Sequence, residues 1–169
     1  METKKIQEGI VRVLGPVGSV LDVGCGDCSL VRFLAKTIAQ EAIGIDLERD
    51  FPEKMRFNIG GEGHTAECIE GDARAIDFPD GRFDAVVSMR AFHEVEDPAG
   101  ALFEMRRVLR PGGMLLVADF TEGEPDESEG YYAPEAIESL LKENGFEQVE
   151  VIQIPRDTFM FAAGKKPPL

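Results

Sequence analysis

Short apolar runs alternate along this chain with segments whose apolar residues recur every three to four positions, a pattern that predicts βαβ units and a parallel sheet. Thr3 to Leu14 is a first helix, with Ile6, Ile10, Val13 and Leu14 at helical spacing and Gly15-Pro16 as its stop. Ser19 to Val23 is a buried strand that runs into a glycine turn. The next helix carries Leu30, Phe33, Leu34 and Ile38 on one face, and Ala42 to Leu47 is the second strand. Between Glu48 and Gly63 the pattern is ambiguous: Pro52 is placed to open a short helix through Phe57, which Gly60-Gly61 and Gly63 would break. Thr65 to Glu70 is the third strand, ending at Gly71-Asp72. Phe83 to Met89 is the fourth, and its near-continuous apolar middle suits a strand covered on both faces.

Pro98 opens a helix bearing Leu102, Met105 and Leu109, which Pro111-Gly112-Gly113 ends, and Met114 to Phe120 is the fifth strand. An acidic loop, Thr121 to Tyr132, leads to a helix from Pro134 with Ile137, Leu140 and Leu141, capped by Asn144-Gly145. The end differs. Phe146 to Ile154 and Thr158 to Gly164 are strands separated only by Pro155-Arg156-Asp157, too short for a helical crossover, so they pair antiparallel. The expectation is an α/β fold with a seven-stranded, mostly parallel sheet and a C-terminal antiparallel hairpin, in one domain spanning residues 1–169.

The turn after the first strand, Gly24-Cys25-Gly26, leads into a helix. Glycines there let the backbone turn sharply and approach a ligand closely, and in doubly wound sheets such turns lie where ligands bind. A glycine turn alone also occurs for structural reasons. Three features add to it: Asp46 at the end of the second strand, twenty residues after Gly26, Gly71-Asp72-Ala73 after the third, and Arg110-Pro111-Gly112-Gly113 before the fifth. An acid at Asp46 can bond both ribose hydroxyls, and Asp72-Ala73 can read an adenine edge. The dinucleotide fingerprint requires a third glycine where this chain has Ser29, and Asp27 would repel a pyrophosphate. A ligand with ribose and adenine but no phosphate fits better, and S-adenosylmethionine, whose sulfonium favours acidic surroundings, is such a molecule. A nicotinamide dehydrogenase is disfavoured on the same grounds.

Val20-Leu21-Asp22-Val23-Gly24-Cys25-Gly26 resembles motif I of the class I S-adenosylmethionine-dependent methyltransferases. Phe83-Asp84-Ala85-Val86-Val87-Ser88 together with Val108-Leu109-Arg110-Pro111-Gly112-Gly113 is similar to the small type 11 branch, and the resemblance runs from about Val17 to Gly164. It implies a Rossmann-like three-layer sandwich with the strand plan already read. It also implies that Asp22, Gly24, Cys25 and Gly26 line the methionine moiety, that Asp46 takes the ribose hydroxyls and that Leu47 packs on the adenine. Asp72 and the Ala73 N–H would bond the adenine, and the Ser88 carbonyl would meet the methionine end. S-adenosylhomocysteine would be the product. Many relatives have glycine where Cys28 stands, and many carry longer segments covering the substrate. Here residues 1–16 supply one helix as a minimal cap, so the acceptor pocket is expected to be open or completed by a second copy or a partner subunit.

Composition narrows the acceptor. With 32 Asp+Glu against 18 Lys+Arg the formal charge is −14, which repels nucleic acid and anionic membranes and leaves a small molecule as the expected acceptor. The densest basic group, Arg106, Arg107 and Arg110, is expected as a solvated helix face. Three cysteines, Cys25, Cys28 and Cys68, argue against a disulfide framework, and their spacing matches no zinc site. The start leads into no long apolar run, so a cytoplasmic protein is expected. Methyl transfer is mainly a matter of alignment, and a base is needed only for a protonated acceptor. Arg90, His93, Glu94, Asp119, Tyr131 and Tyr132 follow the fourth and fifth strands. His93 is the candidate catalytic base, a structural cap being its other reading, and Arg90 is expected to pair with Glu94 or Asp97. The competing function is a non-catalytic cofactor-binding module acting through a partner protein.

Overall fold

In the computed structural model, which describes residues 1–47, 54–59, 63–121 and 130–169, the strand-like runs join one sheet and the helical runs cover its two faces. Strands β1 (Val17–Val23), β2 (Ala39–Asp46), β3 (Lys54–Ile59), β4 (His64–Glu70), β5 (Phe83–Met89), β6 (Leu109–Phe120), β7 (Glu147–Ile154) and β8 (Phe159–Lys165) stand in the order β3-β4-β2-β1-β5-β6-β8-β7. The five strands from β4 to β6 in that order are parallel, and β8 lies antiparallel between β6 and β7. These include the seven expected strands with their terminal hairpin, and β3 extends one edge.

The period of two along each strand divides the core. Val20, Ala42, Ala85 and Leu116 face α1 (Thr3–Leu14) and α2 (Ser29–Thr37), which contribute Ile6, Ile10, Leu30 and Leu34. Their neighbours Leu21, Ile43, Val86 and Leu115 face α3 (Pro98–Val108) and α4 (Pro134–Glu143), with Leu102, Met105, Ile137 and Leu141. Each of the valine, leucine, isoleucine and methionine side chains among these stabilises the fold by about 1.5–3 kcal/mol when fully buried. The two apolar faces hold a sheet whose chain passes from β1 outward to β2 and β4, then crosses to β5 on the other side of β1. That reversal leaves a crevice at the carboxyl ends of the strands.

Several expectations change. Residues 54–57 are not helical; they belong to β3, antiparallel to β4 from Lys54–Ile69 to Ile59–His64. Lys54-Met55-Arg56-Phe57-Asn58-Ile59 alternates polar and apolar with the period of a strand, and an isolated helical turn is marginal beside a full ladder. Pro52, Gly60 and Gly61 lie outside the described residues, as do residues 122–129 of the acidic stretch. Pro111-Gly112-Gly113 does not follow directly on the helix: α3 already ends at Val108, and these residues form the irregular start of β6, where the register with β5 shifts between Phe83 and Ala85. The basic triplet is not one solvated helix face: Arg106 and Arg107 are half-buried on α3, and Arg110 lies beyond the helix and is exposed. Arg106 donates to the Gly145 carbonyl, Arg110 pairs with Asp84 at 2.8 Å, and Arg107 is locked onto Glu104 and Asp80. Cys28 and Cys68 are joined by a disulfide, while buried Cys25 stays outside it. No helix among the described residues is long and apolar enough to cross a membrane.

Candidate functional site

The glycine turn is built by its backbone. Gly24 and Gly26 take φ of 82° and 50°, left-handed values that favour glycine, and a Cβ on Gly24 would stand 2.4 Å from that of Ala91. The N–H groups of Gly24 and Cys25 both donate to the Ile45 carbonyl, at 2.8 and 3.0 Å, which pins the loop to the end of β2. The Gly26 N–H donates to Asp46 Oδ2 at 2.8 Å. Asp27 turns back to accept from the Ser29 N–H, and this bonding holds its carboxyl below the usual range.

This loop forms one wall of a cavity of about 490 Å³. The ends of β2 (Ile45, Asp46, Leu47), of β4 (Gly71, Asp72, Ala73, Arg74) and the segment after β5 (Arg90, Ala91, Glu94, Val95, Glu96) form the others. Leu47 is 57% exposed and lines the cavity, an apolar side chain that the fold itself leaves uncovered. Under the loop lies Asp22, 2% exposed, whose Oδ1 meets no hydrogen-bond donor among the described residues. Burial, then the charges of Asp46 and Asp27, push its carboxyl up to about 8. A buried orphan carboxylate is costly, and a positively charged ligand group above the loop would compensate it. These residues therefore fit a ligand with a cationic end, and the glycines leave room for its close approach.

Of the residues expected to hold a cofactor, Gly24, Gly26, Asp46, Leu47, Asp72 and Ala73 line the cavity, while Asp22, Cys25 and Ser88 are buried behind it. Arg74 went unnoticed in the sequence, with no motif to mark it. Its Nε and Nη2 fork onto Asp72 at 3.1 and 2.9 Å, holding that carboxyl low, and Nη1 reaches Glu96 at 3.6 Å. Arg90 does not make the expected pair with Glu94 or Asp97: its guanidinium bonds Thr3 of α1, at 3.2 Å, while Asp97 caps α3 through the Gly100 N–H. The Arg90 backbone is held left-handed, at φ 52°, with its N–H on the Ala118 carbonyl.

His93 lies between the lining residues Ala91 and Glu94 without itself lining the cavity, in a short 3-10 turn, Phe92–Glu94. Its Nδ1 lies 2.9 Å from Asp119 Oδ2, and its backbone N–H donates to the same oxygen at 3.2 Å. Asp119 ends the buried part of β6 and is 2% exposed. Tyr131 packs on the imidazole with ring centroids 4.5 Å apart, and Phe120 packs on Tyr131. Tyr132 packs on Phe92, and burial together with the Asp119 charge pushes its phenol up. Because a carboxylate only accepts, Nδ1 carries a proton; Nε2 lies 3.7 Å from Glu94 Oε1, and the side chain is 8% exposed.

Residues 21–117 match the family model described as methyltransferase domain. The chain is 37% identical over 118 residues to 2-methyl-6-phytyl-1,4-hydroquinone methyltransferase of Synechocystis, covering 69% of this chain and 36% of that protein. It spans about a third to just over half of the length of the curated relatives it matches, from 31% to 57%. Two solved structures share the fold. YcgJ of Bacillus subtilis has a TM-score of 0.78 at 16% identity, covering 98% of this chain and all of that one. The 1,6-didemethyltoxoflavin N1-methyltransferase of Burkholderia thailandensis, solved with S-adenosylhomocysteine, has a TM-score of 0.71 at 14% identity, covering 97% and 77%. With more than half its length inside the family model and its strand ends assembled as described, the chain belongs to the methyltransferase domain family.

Proposed function

We propose that this chain transfers a methyl group from S-adenosylmethionine to a small-molecule acceptor, leaving S-adenosylhomocysteine. The observation that carries the reading is Asp22, a buried carboxyl group with an unpartnered oxygen under a glycine cradle. S-adenosylmethionine, when bound, supplies an electrophilic methyl group on a positively charged sulfur for in-line displacement. Asp22, Gly24, Cys25 and Gly26 hold the methionine end, Gly24 and Gly26 through backbone, and the Ser88 carbonyl closes that end. Asp46 takes the ribose hydroxyls, Leu47 covers the adenine, and Asp72 with the Ala73 N–H meets the adenine edge. The fork from Arg74 aims the Asp72 carboxylate.

His93 acts as general base for a protonated acceptor, with Asp119 as the positioning residue that fixes its tautomer. The ring of Tyr131 beside it favours a flat acceptor. The 37% identical relative is named for methyl transfer to a hydroquinone, which supports this class.

Incubation with methyl-labelled S-adenosylmethionine and a fractionated metabolite extract tests the proposal. Label in a small aromatic acceptor, with S-adenosylhomocysteine as co-product, is the expected result. Intact cofactor binding with label in no acceptor favours a binding module acting through a partner, and no binding of either nucleoside overturns the assignment.

A further inference from the structure

Cys28 lies between the cradle and α2, and the proposed reaction gives it no role. Its φ is 68°, a left-handed conformation that strains an L-residue and that glycine adopts freely. Its sulfur is bonded to Cys68 of β4, and both residues are fully buried. Cys68 stands opposite Gly44 of β2 and three residues before Gly71, so the bond ties the loop wall of the cavity to the strands whose ends form the facing walls. The Cys28 N–H also closes the turn by donating to the Cys25 carbonyl at 2.9 Å.

We propose that Cys28–Cys68 is a thiol–disulfide modification site that sets cofactor affinity, an inference that rests on the cavity being the S-adenosylmethionine site. In the oxidised state the bond to β4 holds Cys28 left-handed and keeps the cradle in its binding shape. In the reduced state Cys28 relaxes toward an unstrained conformation and the cradle loosens with it. The reductant is a dithiol. One of its thiolates attacks a sulfur of the bond and releases the other cysteine as a thiol. Its second thiolate then displaces the mixed disulfide, so the reagent gives up two electrons and becomes a disulfide while Cys28 and Cys68 both end as thiols. Since both sulfurs are buried, attack requires the first turn of α2 to open, and an occupied cradle opposes that opening. Linkage makes the coupling reciprocal: the factor by which reduction weakens cofactor binding is the factor by which the cofactor favours the disulfide.

The experiment measures S-adenosylhomocysteine affinity of the full chain oxidised, reduced with dithiothreitol and reoxidised, with thiol labelling to report the redox state. Reduction is expected to weaken binding about tenfold, reversibly. Saturating S-adenosylhomocysteine then lowers the reduction potential of the pair by about 30 mV for each factor of ten. C28S, with a side chain at the left-handed position and no bond, behaves as the reduced protein. C28G/C68A, with glycine there, keeps the oxidised affinity and ignores dithiol. Should the reduced protein unfold by circular dichroism, C28G/C68A still decides: full, dithiol-insensitive affinity supports the site and weak binding overturns it. Equal affinity of folded oxidised and reduced protein overturns the inference alone, whereas no binding in any form overturns the assignment of the cavity and the inference with it.

Discussion

The two halves of the strand-end crevice are built differently. The proposed cofactor half is made by strand termini and backbone: two left-handed glycines, the Ile45 carbonyl, carboxylates at the ends of β2 and β4, and buried Asp22 near the end of β1. The proposed acceptor half is made by side chains that meet across the fold beside it, with His93 after β5, Asp119 at the end of β6 and Tyr131 before α4. Backbone geometry tolerates few sequences, so the first half announces itself in a local motif. Side-chain encounters leave no local mark: His93, Asp119 and Tyr131 stand out in the sequence as separate candidates after strand ends, and their pairing becomes visible only when the sheet is assembled.

The largest expected effect separates the halves. His93→Gln should lower turnover by about 10²–10⁴-fold, the usual contribution of a positioned base, with unchanged affinity for S-adenosylhomocysteine. An equal loss in binding would show that the halves are not separable. Asp46→Ala is the mirror experiment. It removes charge-assisted hydrogen bonds of about 1.5–3 kcal/mol each, so calorimetry should find S-adenosylhomocysteine binding at least tenfold weaker. Unchanged affinity would place the ribose elsewhere.

A subtler effect concerns charge. The Asp22 carboxyl rises from 3.8 in the unfolded chain to about 8 in the fold, so the folded chain binds the extra proton between those values. The resulting stabilisation is fully present below the lower value and is lost as pH rises through the upper one. Asp22→Asn, which cannot ionise, should therefore gain in melting temperature over the wild type as pH increases from 5 to 8 without ligand. A constant difference would mean that Asp22 is not the group responsible. The smallest effect belongs to Leu47→Ala. An exposed leucine contributes little to stability, so thermal unfolding should change by less than about 0.5 kcal/mol, while cofactor affinity falls a few-fold.

What could be read in the sequence follows the same division. The helix Thr3–Leu14 and the strand Phe83–Met89 have the bounds their apolar periodicity predicts, because each buries a face through a repeat contained within itself. The glycine turn was legible for the reason given above. β3 was not, because its alternation competes with a proline and lies among glycines, and only β4 shows that a ladder is available. The Cys28–Cys68 bond joins residues 40 positions apart, and the ion pairs of Arg74 with Glu96 and of Arg107 with Asp80 depend on how loops return to the sheet. The orphan oxygen of Asp22 is likewise a property of packing, although the residue itself stands in the motif.

The central claim is that a cationic cofactor is received above Asp22. The most direct test is calorimetric titration with S-adenosylmethionine at pH 7 in buffers of different ionisation enthalpy, on the wild type and Asp22→Asn. With the free carboxyl near 8, the wild type should release close to one proton on binding, and its affinity should increase with pH up to that value. The variant should release none. Binding without proton release in the wild type, or the same release in both proteins, would contradict the account.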